Sequence, residues 1–105
     1  MYLQDFESAG ALDHDAAERI VWKTAEFDSK IILVVNERRL FAHCLALCWD
    51  ELGVRRGTPI SIAVDGGPGH DDGEERRALV EMVDYFQEMT IPDTTTRRRR
   101  RFTFR

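Results

Sequence analysis

The sequence lacks an apolar stretch long enough to cross a membrane. A membrane-spanning helix needs about 20 predominantly apolar residues, and no segment of the 105-residue chain approaches that length. The first ten residues carry Asp5 and Glu7, where a secretory signal would carry basic and then apolar residues. These absences predict a soluble, cytoplasmic protein.

Cysteine is also scarce. Cys44 and Cys48 lie four residues apart, unlike the dispersed framework of a secreted, disulfide-stapled domain. With His43 they could act as soft metal ligands, but a tetrahedral zinc site usually draws further ligands from elsewhere in the chain. Free cysteine is among the most buried residue types. Reduced, buried thiols are therefore predicted, a redox role remains an alternative, and no metal or cofactor is expected.

Charge divides the chain into two parts. Residues 1–96 contain all 19 acidic residues and nine of the 15 basic ones, a formal charge of −10, whereas residues 97–105 contain six arginines. A chain of this length supports one hydrophobic core, and such asymmetry usually separates a folded body from an interaction tail. We therefore expect one domain over residues 1–92 and an arginine-rich tail over residues 93–105.

Apolar residues at helical spacing predict helices over residues 15–27, 43–52 and 74–89. Asp15 and Glu18 have the spacing of a capping box at the start of the first helix. Gly53 follows the second helix, where a left-handed cap is favoured. The third helix has two candidate capping pairs, Asp71 with Glu74 and Asp72 with Glu75.

Extended segments alternate with these helices, and strands are predicted over residues 1–10, 30–35, 39–41 and 59–64. Asn36-Glu37 favours a hairpin turn between the strands at 30–35 and 39–41. In the strand at 59–64, Ser61 and Ala63 are predicted to point outward, away from the core. The order β-α-β-β-α-β-α predicts an α+β fold, with three helices on one face of a four-stranded antiparallel sheet. Trp22 and Trp49 are interpreted as packing residues.

Three segments carry a resemblance to a known family: FDSKIIL at residues 27–33, the turn NER at 36–38 and LGVRRGTPISI at 52–62. They resemble HPr, the histidine-containing phosphocarrier protein of the bacterial sugar phosphotransferase system, and the likeness spans residues 12–86. The resemblance implies an HPr-like open-faced sandwich that receives a phosphoryl group at the N-terminus of its first helix. It also implies protein partners that dock on the first two helices.

The family's site motif, Gly-(Leu/Ile)-His-x-Arg-Pro-Ala, is degenerate here. Counted back from Phe27, Asp13 stands in place of the acceptor histidine and Asp15 in place of the arginine. A phosphohistidine brings about −1.5 to −2 charges. Two unit charges ~4 Å apart repel by roughly 1 kcal/mol in water and ~4 kcal/mol at an effective dielectric of 20. We therefore expect the repulsion between two carboxylates and the phosphoryl group to outweigh the ~0.3–1 kcal/mol that the helix dipole contributes.

This reversal of charge predicts a non-phosphorylated, partner-binding or regulatory module rather than an enzyme. The family's regulatory serine corresponds to Cys44 or Leu45, so kinase control at that position is not expected. The partner-binding surface is predicted to comprise Asp13, His14, Asp15, Ala16, His43, Cys44 and Leu47.

Two phosphoryl acceptors remain alternatives. A one-residue slip presents His14 as the acceptor, because imidazole nucleophilicity needs an exposed nitrogen and a carboxylate that orients the other one. The missing arginine argues against this. Asp13 could form an aspartyl phosphate, but the sequence shows no metal cluster to offset the charge. A chemically silent His14 and a helix-capping Asp15 are the plainer interpretations.

The tail is the strongest signal outside the resemblance. Its cations, with Phe102 and Phe104, could neutralise phosphates and stack bases, remain solvated, or dock on the acidic body. The glycine-rich loop at residues 66–73 fits no phosphate-binding motif and is predicted to be a surface loop. Binding of nucleic acid or another polyanion would use Arg97, Arg98, Arg99, Arg100, Arg101 and Arg105.

Overall fold

The computed structural model of the protein describes residues 1–67, 69 and 72–92, with Asp72 described in its backbone only. The predictions for the arginine tail, for Asp71 as a cap and for part of the 66–73 loop lie outside these residues. The elements are β1 (Tyr2–Glu7), α1 (His14–Thr24), β2 (Lys30–Val35), β3 (Arg38–Phe41), a broken helix α2 (residues 42–52), β4 (Pro59–Asp65) and α3 (Asp72–Thr90). Within the described part of the chain, no helix is long and apolar enough to span a membrane.

The four strands form one antiparallel sheet in the order β1-β4-β2-β3. β4 pairs with β1 on one side and β2 on the other, so that Ile60 lies between Phe6 and Val35. Its alternating residues Ile60, Ile62 and Val64 are buried, as expected for a strand with one face on the core. The predicted α+β fold is confirmed.

The core lies between the sheet and the helices. Ile20 of α1, Leu33 of β2 and Phe86 of α3 have no exposed surface. The ring of Phe6 meets that of Phe86 edge to face, with centroids 5.6 Å apart, an arrangement that aromatic pairs favour. The helices are thereby fixed against the sheet that they cover.

Ala63 lies on the opposite face of the sheet, where it was predicted to be exposed. It is only 6% exposed, because its neighbours in the register are Leu3 of β1 and Ile32 of β2. The larger side chains of Leu3 and Ile32 cover the Ala63 methyl group from both sides. The predicted direction of the side chain is therefore right and its predicted exposure is wrong.

The β2–β3 hairpin turns at Asn36 and Glu37. Both residues have positive φ, 51° and 69°, as a two-residue type I′ turn requires. The Asn36 side chain donates from Nδ2 to the carbonyl of Leu52 at 2.9 Å. The hairpin turn is thereby tied to the end of α2.

α1 ends at Thr24, three residues before the predicted boundary. The N–H groups of Ala25, Glu26 and Phe27 each donate to the carbonyl three residues back. Hydrogen bonds of this 3-10 type tighten the last turn, so the α-helical conformation ends there. Phe27 is nevertheless buried. The apolar periodicity therefore continues past the end of the helix.

α2 is broken where a continuous helix was predicted. A 3-10 turn (Ala42–Cys44) is followed by one α-turn (Leu45–Cys48) and a second 3-10 turn (Trp49–Leu52). The backbone leaves the helical region at Cys48, where φ is −140°. Gly53, at φ 64°, confirms the predicted left-handed cap.

Candidate functional site

Asp13 caps the N-terminus of α1. Its backbone is extended (φ −120°, ψ 177°), and Oδ1 accepts a hydrogen bond from the backbone N–H of Ala16 at 2.7 Å. Asp15, the predicted cap, lies in the first turn and binds the Arg19 guanidinium at 2.9 Å. The capping prediction was wrong by two residues, because the helix begins at His14.

Exchange of Asp13 for alanine is expected to lower the free energy of unfolding by about 1 kcal/mol, because the N–H of Ala16 loses its acceptor. Asp13→Asn keeps a good cap and should be nearly neutral. Asp15→Ala should cost at most about 0.5 kcal/mol, because both partners of its ion pair are exposed. Urea denaturation measures all three. A larger loss for Asp15→Ala than for Asp13→Ala would contradict the assignment.

His14 is the first residue of α1, and its side chain is 61% exposed. Nε2 lies 3.8 Å from Oε2 of Glu18, one turn along the helix, and the ring lies 6.3 Å from that of Trp49. Arg19 donates to Asp15 instead, and this hydrogen bond raises the pKa of Arg19. The imidazole therefore has the carboxylate of Glu18 beside it, and Asp15 stands at the position of the motif's arginine.

A shallow cavity of about 430 Å³ lies beside the N-terminus of α1. The β1–α1 loop, the α2–β4 loop and the end of α3 meet here. Arg56 lines the same cavity as Asp13, which sequence reasoning missed because the two residues are far apart in the chain. The lining residues are Gly10, Ala11, Asp13, Arg56, Thr90, Ile91 and Pro92.

Gly10 allows the β1–α1 loop to touch the end of α3. A Cβ atom at this position would lie 2.0 Å from the carbonyl oxygen of Thr90. Gln87 of α3 holds the same loop, because its Oε1 accepts from the N–H of Ala9 at 2.9 Å and its Nε2 donates to the carbonyl of Glu7 at 2.8 Å. This wall of the cavity is therefore held by a close backbone approach at Gly10 and by the side chain of Gln87.

On α2, the predicted partner-binding residues His43 and Leu47 are exposed, and the two cysteines are more exposed than predicted. Leu47 is 83% exposed, and His43 stacks on Phe41 with ring centroids 5.6 Å apart. Cys44 and Cys48 are free and half-buried, so their prediction as buried core residues was wrong. The pKa of the Cys48 thiol is raised, chiefly because the side chain is partly buried. A raised pKa disfavours the reactive thiolate. In the described part of the chain, no three His, Cys, Asp or Glu side chains converge to hold a metal ion.

Trp22 was predicted to be a packing residue, and this prediction was wrong. It is 76% exposed, whereas Trp49 packs partly against the core as predicted. His14, Glu18 and Trp22 are four residues apart along α1, so they form one exposed stripe. That spacing was visible in the sequence.

The structure brings most of the predicted partner-binding residues together on two elements. α1 packs against α2, and Asp13, His14 and Asp15 at the start of α1 are all exposed. Ala16 is 2% exposed, so its side chain faces the core. The role of these residues in partner binding stays a prediction.

The fold has known counterparts. No family model and no curated protein matches the sequence. The HPr protein HPr-C-His of Thermoanaerobacter tengcongensis aligns with a TM-score of 0.59 and 22% identity, over 84% of this chain and 97% of its own. A histidine-containing phosphocarrier protein, described for the evolutionary divergence of mycoplasma from Gram-positive bacteria, aligns with a TM-score of 0.62 and 15% identity, over 87% and 100%. The chain therefore has the fold of the HPr phosphocarrier proteins.

Proposed function

We propose that the protein is a partner-binding, regulatory module with an HPr fold that does not carry phosphate. The observation that supports this most directly is the hydrogen bond from the N–H of Ala16 to Oδ1 of Asp13. Backbone N–H groups at a helix N-terminus are the natural donors to an incoming phosphoryl group. In this protein the carboxylate of Asp13 already occupies one of them.

The charges at the start of α1 support the same proposal. Asp13, Asp15 and Glu18 lie within its first turns, and Arg19 is engaged by Asp15. A bound phosphoryl group would bring close to two further negative charges. Arg56 adds one positive charge on the cavity side of Asp13, which does not balance three carboxylates. The electrostatic free energy therefore opposes phosphoryl binding.

The partner surface we propose is the exposed face of α1 and α2. It consists of the stripe His14, Glu18 and Trp22 together with Leu47. Tryptophan is one of the residue types enriched at the energetic hot spots of protein interfaces, and Leu47 adds apolar area on the adjacent element. The partner that fits is a protein of a phosphotransferase or related regulatory pathway, with an apolar patch that covers Trp22.

Incubation with a phosphorylated upstream carrier protein of the phosphotransferase system tests both parts of this function. We expect binding in isothermal titration calorimetry without a phosphoryl adduct in the intact mass. The double variant Trp22→Ala with Leu47→Ala should bind at least about tenfold more weakly, because truncation of interface anchors commonly costs about 2 kcal/mol or more. Val80→Ala is the matched control, because Val80 is also exposed but lies on α3.

Phosphorylation of His14 is the second candidate function, favoured by the exposure of its ring and by the nearby Glu18. An acid-labile adduct that disappears in His14→Ala would establish a phosphocarrier and refute our proposal. Absence of both adduct and binding would remove the phosphotransferase partner. Equal binding by Val80→Ala and the double variant would refute the proposed surface.

A further inference from the structure

We propose that the segment Arg97–Arg101 binds its own domain at the cavity beside the N-terminus of α1. The position of Pro92, the last described residue, points to this occupant. Ile91 and Pro92 line the cavity themselves, and 13 residues follow Pro92. Arg97 is five residues further on, at most about 17 Å along an extended chain. The first arginines can therefore reach the whole cavity.

The two parts of the chain have complementary charge. Residues 1–92 contain 18 acidic and nine basic residues, a formal charge of −9, whereas residues 93–105 contain six arginines and one aspartate, a formal charge of +5. A short tether raises the effective concentration of the segment to the millimolar range. Even a weak contact is therefore populated within one chain.

The local charges direct the arginines to this end of the domain. Asp13 lines the cavity, and Glu88 is exposed in the last turn of α3. Asp15 is exposed in the first turn of α1, where its ion pair with Arg19 offsets part of its charge. That last turn contains no basic residue, although cations are favoured at a helix C-terminus by the dipole.

The remaining lining residues suit an arginine in different ways. Ala11, Ile91 and Pro92 offer apolar surface, on which arginine methylenes can lie while the guanidinium reaches water or a carboxylate. Arg56 opposes docking, because it brings a like charge into the same cavity. Neutralisation of Arg56 should therefore strengthen the contact, whereas neutralisation of Asp15 should weaken it.

Backbone amide chemical shifts of the full-length chain test the proposal. In a variant with all five residues Arg97–Arg101 changed to glutamine, we expect altered shifts at Gly10, Ala11 and Ala16. The variant with the same five residues changed to lysine is the matched control, and it should keep most of the wild-type shifts because it keeps the charge. Raising NaCl from about 50 mM to about 1 M, which shortens the Debye length to about 3 Å, should move the wild type toward the glutamine variant.

Two single substitutions test the sign of the local charges. Asp15→Asn should reduce the shift difference between arginine and glutamine tails, and Arg56→Gln should increase it. Both sites are exposed, so neither variant is expected to unfold. The opposite order would overturn the proposed location.

Three other outcomes would overturn the proposal. Identical shifts in the wild type and the glutamine variant would show that the segment does not dock. Loss of the difference on tenfold dilution would show binding to a second copy rather than to the same chain. A single-stranded oligonucleotide could bind the wild type and Asp15→Asn with equal affinity and leave the amide shift of Gly10 unchanged. That result would show a tail that binds polyanions independently of the cavity.

Discussion

Replacement of Gly10 by alanine is expected to lower the free energy of unfolding by about 3 kcal/mol, at the upper end of the range for overpacking. The new Cβ would meet the carbonyl oxygen of Thr90 at 2.0 Å and its carbonyl carbon at 3.2 Å. Since the obstacle is backbone, no side-chain rotation relieves it, and the β1–α1 loop must move away from α3. Urea denaturation followed by far-UV circular dichroism measures the loss.

Gly53→Ala is the matched control for this steric effect. No atom lies within 4 Å of a Cβ at Gly53, but the backbone has φ 64°, and a left-handed conformation costs an L-residue about 1 kcal/mol. The loss at Gly10 should therefore be about three times the loss at Gly53. Equal losses would contradict the tight contact between Gly10 and Thr90.

The double substitution Asp13→His with Asp15→Arg is expected to turn the protein into a phosphoryl acceptor. It removes two carboxylates, releases the N–H of Ala16 and adds a guanidinium that can bind two phosphate oxygens. The phosphoryl group would leave the phosphohistidine of the upstream carrier and form a P–N bond at position 13. Intact mass should show an acid-labile adduct on most molecules, compared with none in the wild type.

The control for this gain of function is Asp13→Asn with Asp15→Asn. It removes the same two negative charges and keeps the helix cap, but it supplies neither acceptor nor guanidinium, so no adduct should form. Adding His14→Ala to the acceptor variant should leave its adduct in place. An adduct that depends on His14, or a folded variant that binds the donor and gains no adduct, would contradict the electrostatic explanation.

The fold was predictable because its signals are local. The alternation of Ile60, Ile62 and Val64 specifies a strand with one buried face, and a turn at Asn36-Glu37 joins two extended segments at hairpin distance. The order of elements then leaves few ways to cover one sheet with three helices. Sequence reasoning placed the boundaries less well, because Phe27 continues the apolar pattern in a turn that is no longer α-helical.

The candidate site was less predictable because it depends on contacts between distant segments. Asp13 and Asp15 are both suitable caps by residue type, and only the starting residue of α1 decides between them. Arg56 reaches the cavity of Asp13 from the α2–β4 loop, and no local pattern announces that approach. Trp22 differs, because its exposure follows from a helical stripe that a count of four residues from His14 and Glu18 would have revealed.

The central position of β4 has a consequence for the newly synthesised chain. β1 is made first, but its partner is made late, since Tyr2 pairs with Val64 and Glu7 with Pro59. At typical elongation rates β1 waits roughly 3 to 12 s for that partner, whereas the β2–β3 hairpin can close within microseconds of emerging. The N-terminal strand is therefore the part of the sheet most open to pairing with neighbouring nascent chains, until Pro59–Asp65 has left the ribosome.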